Sequence, residues 1–241
     1  MRIDKLLANV GFGSRKEVKK LLKSGVIKVD GKVITDSKVH VDPDKQEITV
    51  NGELIEYKEY IYLMMNKPSG YLSATEDVLQ KTVLDLLEYE DVIYQPFPVG
   101  RLDKDTEGLL LLTNDGQLAH QLTSPKKHIP KTYYATILGE VTEEDMLTFQ
   151  NGVELDDGYV TKPAKLEVVE AGPNSTIYVT ITEGKYHQVK RMFEAVGKRV
   201  TYLKRVKMGP IPLDEDLRVG EYRELTDEEV EQLKNAKPID L

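Results

Sequence analysis

The chain has 241 residues, 40% of them hydrophobic, enough to bury the core of one large domain or of a small and a larger one. It has no cysteine, which excludes disulfides and thiolate metal sites, no apolar run long enough to span a bilayer, and an N-terminus without the apolar core of a signal peptide. A cytoplasmic protein is expected, and the net charge of −8 taken alone argues against a polyanionic partner.

Taken in order, Ile3, Leu6, Leu7 and Val10 follow the i, i+3, i+4, i+7 spacing of an amphipathic helix, and Gly11 and Gly13 stop it. Ser14 and Glu17 form a capping box for a second helix that buries Val18, Leu21 and Leu22 and closes at Gly25. Residues 1–32 hold nine Lys or Arg against three acids. On the second helix Arg15, Lys19 and Lys23 make a stripe, with Lys16 and Lys20 beside it. Clustering, more than total charge, makes an electrostatic footprint. Asp30-Gly31 and Asn51-Gly52, each between short β-forming runs, predict two hairpins with type I′ turns. Residues 1–56 thus read as a small domain, and 57–60 as a linker to a larger one over 61–241.

In the larger domain a strand over 61–65 leads into Asn66-Lys67-Pro68-Ser69-Gly70, and 82–87 reads as helical. The stretch 99–116 contains Arg101, Asp103 and Asp105, then Gly108 and four consecutive leucines, 109–112, which predict a strand covered on both faces. Asp103 therefore sits on a loop feeding a core strand, where a rigid scaffold can hold a carboxylate still. A short helix over 117–122 follows, then a small basic cluster of Lys126, Lys127, His128 and Lys131. Strands are expected over 131–138, 164–169, 176–182 and 200–206, with helices opening at Thr142, after 183–187 and at Thr226. The segment 185–207 is again basic, eight Lys or Arg against Glu194. Successive strands outnumber helices, so the class is α+β: a mixed, mainly antiparallel sheet with flanking helices behind a small N-terminal domain.

The order helix–helix–strand–hairpin, carried by Arg2-Ile-Asp-Lys-Leu6, Ser14-Arg15 and Val26-x-Val-Asp-Gly31, resembles the S4 RNA-binding domain. The resemblance implies contact with structured RNA by shape and phosphate, through Arg2, Lys5, Arg15, Lys16, Lys19, Lys20 and Lys23. Asn66-Lys-Pro-Ser-Gly70, Gly-Arg-Leu-Asp with Thr106 and Gly108, and His187-Gln-Val-Lys-Arg-Met-Phe193 make the whole chain resemble the bacterial RsuA family of pseudouridine synthases. That resemblance implies the pseudouridine synthase fold and no cofactor. It further implies uridine in small-subunit (16S) ribosomal RNA, or in the assembling subunit, as substrate; relatives acting on large-subunit ribosomal RNA share the layout, and that substrate is the alternative. Asp103 is then the essential residue, as nucleophile or as base. Arg101 accompanies it, Tyr133 receives the flipped base, and a basic residue of the third motif, Lys190 by position, pairs with the aspartate. Relatives often carry arginine where this chain has Lys190, so Lys190 and Arg191 both remain candidates for the pairing.

Tyr133 and Tyr134 point to opposite faces of one strand, so one of them is expected in the core. No membrane contact, no metal site and no assembly beyond a monomer are expected. Two other classes compete: a non-catalytic RNA-binding assembly factor, and a glycoside hydrolase using Asp103 with Asp105 or Glu107. The first leaves the second domain unexplained, and the second gives no reason for two basic segments.

Overall fold

The structure is a computed structural model that describes residues 1–239 and 241. The chain folds as two compact units, 1–61 with 88–95, and 62–87 with 96–241.

In the first unit α1 (Ile3–Asn9) precedes α2 (Arg15–Lys23). The Glu17 N–H donates to the Ser14 hydroxyl, and the Ser14 N–H donates to the Glu17 carboxylate, the reciprocal cap expected from the sequence. Asp30-Gly31 and Asn51-Gly52 have positive φ at both residues, as type I′ turns require. They join β1 (Ile27–Val29) to β2 (Lys32–Val33) and β3 (Ile48–Val50) to β4 (Glu53–Leu54) in an antiparallel sheet of order β2-β1-β3-β4. Ile3, Leu6, Leu7, Val18, Leu22, Ile27 and Ile48 fill its core. The segment 88–95, which the sequence places inside the second domain, clusters with this first unit. It forms α3 (Tyr89–Val92) and sets Ile93 beside Gly11.

The second unit is built on one large sheet. Its strands are β5 (Tyr62–Lys67), β6 (Phe97–Pro98), β7 (Glu107–Thr113), β8 (Lys131–Leu138), β9 (Lys165–Glu170), β10 (Asn174–Ile181), β11 (Arg199–Met208), β12 (Ile211–Pro212) and β13 (Tyr222–Glu224). The main order is β13-β5-β7-β11-β8-β10-β9, with β6 added to β7 and β12 to β11. Every pairing is antiparallel except that of β7 with β11. The helices are α4 (Gly116–Thr123), α5 (Glu143–Asn151), α6 (Gln188–Ala195) and α7 (Asp227–Lys234). Residues expected as a helix over 82–87 form only a 3-10 turn, Val83–Leu86, closed by reciprocal bonding of Thr82 and Asp85. The short β12 and β13 carry too few residues to show a period in the sequence.

β7 lies between β5 and β11, and Leu109 to Leu112 are buried on both faces. Leu109 and Leu111 pack with Leu118, Leu122 and Leu233 from α4 and α7. On α5 and α6, Phe149 and Phe193 meet with ring centroids 4.9 Å apart.

At the start of β7, Gly108 has φ +99, and a Cβ there would stand 2.2 Å from the Arg205 carbonyl oxygen of β11. This close approach lets the two central strands run side by side just after the Asp103 loop. Gly108→Ala must push β11 away while holding a strained φ. The expected loss is about 3 kcal/mol of stability, read as a lower midpoint in urea unfolding of the full chain.

Candidate active site

The loop from β6 to β7 carries Arg101, Asp103 and Asp105, and a buried lysine holds its backbone in place. Lys67 ends β5, after Leu63, Met64 and Met65, and is completely buried. Its Nζ donates to the carbonyl oxygens of Pro68 (3.0 Å), Asp103 (3.2 Å), Lys104 (3.2 Å) and Thr106 (2.9 Å). Around it the Thr106 N–H donates to the Asp103 carbonyl (3.0 Å), the Gly70 N–H to that of Lys104 (2.8 Å), and Ser73 bonds both backbone groups of Leu102. The loop is therefore tied at four of its residues. Burial lowers the Lys67 pKa to about 8, against the opposing charges of Asp105, Asp103 and Glu107.

The Asp103 carboxylate meets a cation from α6. Lys190 Nζ lies 3.1 Å from Asp103 Oδ2 and 2.7 Å from Asp105 Oδ1, bridging the two carboxylates. Burial pulls the lysine pKa down, but its bonds to Asp105 and Asp103 outweigh that and raise it. For Asp105, burial acts upward and the Lys190 bond downward, with a lowered pKa as the result. His187, in a left-handed backbone conformation (φ +48) just before α6, brings Nε2 to 3.7 Å from Asp103 Oδ1. Its ring stacks on that of Tyr186, centroids 3.8 Å apart.

Buried Glu183 anchors this segment by accepting from the Tyr159 hydroxyl, the Lys162 N–H and the Gln188 side chain. Arg191 is turned elsewhere: its guanidinium pairs with Asp156 and Asp157. Of the two candidates for pairing with Asp103, only Lys190 makes the contact. The physical reason is the helix itself, because neighbouring residues point about 100° apart.

A cavity of about 570 Å³ opens beside these groups, lined among others by Arg101, Asp103, Lys131, Tyr133, His187 and Arg205. Arg101 is exposed at this surface, whereas Tyr133 is 92% buried (8% exposed). Alternation along β8 puts Tyr134 on the opposite face, where its ring meets Tyr178 (5.5 Å) and Tyr202 (6.3 Å). Lys131 leaves the basic cluster expected from sequence and lines the cavity, while His128 instead contacts Lys162, its Nδ1 2.7 Å from Nζ. Among the described residues, no three His, Asp or Glu side chains are grouped as a metal site. No helix among them is long and apolar enough to cross a membrane.

In the first unit Lys5, Arg15, Lys16, Lys19, Lys20 and Lys23 are exposed and form no ion pair among the described residues. Arg2 differs. Its guanidinium is engaged by buried Asp4, with Nε 3.0 Å and Nη2 2.7 Å from the two carboxylate oxygens.

Three residues of the site, Lys67, His187 and Arg205, have no role that spacing assigns. A signal exists for two of them, since a lysine closes β5 just beyond its apolar run and an arginine stands two residues after Leu203 within β11. Replacing Lys67 with Met should release the loop. The amides of residues 103–106 are expected to exchange faster with deuterium, and stability at neutral pH to fall by about 1–3 kcal/mol. Between about pH 8 and the ordinary lysine value, the unfolded chain holds a proton that folded Lys67 has released. This group therefore makes stability rise with pH across that window. Lys67→Met is expected to flatten the rise in urea midpoint from pH 8 to 10 relative to the parent chain.

Residues 61–195 match the family model for RNA pseudouridylate synthase, and residues 1–46 match that for the S4 domain. An uncharacterized RNA pseudouridine synthase of Bacillus subtilis is 60% identical over 98% of this chain and all of its own length. The ribosomal small subunit pseudouridine synthases A of Yersinia pestis and Escherichia coli K12 are 43% and 40% identical over 95% of this chain and 97% and 98% of theirs. A crystal structure described as a pseudouridylate synthase superposes with a TM-score of 0.68 at 38% identity, covering 97% of this chain and 99% of that one. With a matching synthase model over more than half its length and such relatives over nearly all of it, the chain belongs to the RsuA family of RNA pseudouridine synthases.

Proposed function

We propose that the protein isomerises uridine to pseudouridine in small-subunit (16S) ribosomal RNA, with Asp103 as its essential group. The observation that carries this reading is the Asp103 carboxylate on a tethered loop, 3.1 Å from Lys190 and at the wall of the cavity that Tyr133 also lines. The small-subunit assignment is supported by the Yersinia and Escherichia relatives, both of them ribosomal small subunit pseudouridine synthases A.

The reaction breaks the bond from C1′ to N1, turns the uracil and joins C1′ to C5. N1 gains a proton and C5 loses one, so no electron donor and no group donor is consumed. An ionised Asp103 can attack an electrophilic carbon of the sugar or base, or take the 2′ proton, and both routes start from the same oxygen atoms. Lys190, whose bonds to Asp105 and Asp103 raise its pKa despite burial, keeps a positive charge 3.1 Å from that carboxylate. A uridine within a folded RNA must leave its stack to reach Asp103, and the Tyr133 ring offers the flat surface that receives it. The cavity volume falls within the range of small-ligand sites.

The exposed basic residues of the first unit contribute phosphate contacts that place the RNA without reading its sequence. Tyr133 and Asp103 act on the single extruded nucleotide.

Asp103→Asn removes the charge and keeps the shape. Pseudouridine formation in 16S RNA, read as carbodiimide-adduct stops in primer extension, is expected to drop by more than about a thousandfold with RNA affinity retained. If the parent chain produces no stop on 16S RNA or on precursor particles while binding RNA, the synthase reading fails and a non-catalytic assembly role leads. A second expectation concerns the basic stripe. Lys19→Ala with Lys23→Ala should lower the slope of log affinity against log salt by about 2, measured by filter binding across salt concentrations.

A further inference from the structure

Two cations in the cavity wall have no counterion. Arg205 is 2% exposed; its Nε donates to the Leu109 carbonyl (2.8 Å), while Nη2 is sealed from solvent without a hydrogen-bond partner. Lys131 donates only to the Ile129 carbonyl (3.0 Å). Among the described residues neither forms an ion pair. Arg205 stands opposite Tyr133 in the β8–β11 register, and Lys131 lies two residues before Tyr133, so all three share one face of the sheet. Burial, and then the charge of Arg205, push the Lys131 pKa down to about 8.

The carboxylates that line the same cavity are already engaged. Asp103 is held by Lys190, and Glu183 accepts from Tyr159, Lys162 and Gln188. The other charged groups there, Arg101, Lys104 and Lys185, add positive charge. A buried charge without a partner is costly, and two of like sign are worse. Such a pair is stable in a working site when an incoming anion completes it. In RNA the phosphodiester is the group with a formal negative charge, whereas uracil offers only carbonyl dipoles.

We propose that Lys131 and Arg205 form a phosphate subsite that grips a phosphodiester flanking the target uridine. Lys131 supplies the contact through its unused N–H groups, and Arg205 supplies a fixed charge behind it. This rests on the reading of the cavity as the uridine site. The subsite acts on the backbone and Tyr133 on the base, so flipping is driven from two ends of one nucleotide.

The test uses the full chain and two probes. Inorganic phosphate, compared with chloride at equal ionic strength, should raise the thermal midpoint of the parent chain by about 2 °C or more. Lys131→Met should lose that response, while Lys131→Arg and the exposed-surface control Lys126→Met keep it. RNA substrates with one neutral methylphosphonate on the 5′ or 3′ side of the modified uridine should show, at one of the two linkages, about tenfold lower kcat/KM with the parent chain. The same linkage should cost Lys131→Met nothing further. Equal phosphate protection of the parent chain and Lys131→Met overturns the subsite, as does an equal methylphosphonate penalty in both. Should Lys131→Met fail to fold, Lys131→Gln replaces it with the same expected outcomes. Protection that depends on Lys131 in a chain that modifies no RNA would sink the synthase reading and leave the subsite standing. Pseudouridine formation without either effect would do the reverse.

Discussion

The ammonium of Lys67, buried among four backbone carbonyls, is the constraint on which the active-site geometry depends. A carboxylate is useful at a reacting centre only if its position survives thermal motion, and a loop gives no such guarantee by itself. Here the end of β5 supplies a donor that gathers the carbonyls of Asp103, Lys104 and Thr106, and Gly108 lets the chain pass straight into β7 against β11. The loop inherits the rigidity of the sheet. Its cost is a lysine whose charge burial disfavours.

Charge in the second unit is divided by task. Lys190 is matched to Asp103 and Asp105, a satisfied arrangement that fixes where the Asp103 carboxylate points. Lys131 and Arg205 carry unmatched charge into the same cavity, which fits a site completed by an anionic strand. The overall charge of −8 conceals both, because acidic helices elsewhere, such as α7 with Asp227, Glu228 and Glu229 in its first turn, dominate the sum. Local charge, screened over about 10 Å, is what an approaching RNA meets.

Much of the architecture was legible because its signals are local. The capping boxes at Ser14 and Thr226, the two type I′ turns and the four leucines of β7 each follow from a few adjacent residues. The placement of 88–95 with the first unit was not legible, since it depends on Ile93 meeting Gly11 across the chain. Lys131 read as one of a cluster with Lys126 and Lys127, yet strand alternation at the start of β8 turns it into the cavity while those two remain exposed.

Sequence by itself determined the α+β class, the basic helix face, the loop bearing Asp103 and, through matching motifs, the family. It pointed to Lys190 by position but left Arg191 open, because both are basic and adjacent. Only the folded chain separated them: helix rotation sends Lys190 to Asp103 and Arg191 to Asp156 and Asp157. It likewise assigned Lys67 its carbonyls and left Nη2 of Arg205 without a hydrogen-bond partner, since both facts depend on strands distant in sequence being neighbours in one sheet. Short-range pattern encodes which residues form an element; which of them meet is decided by how the elements pack.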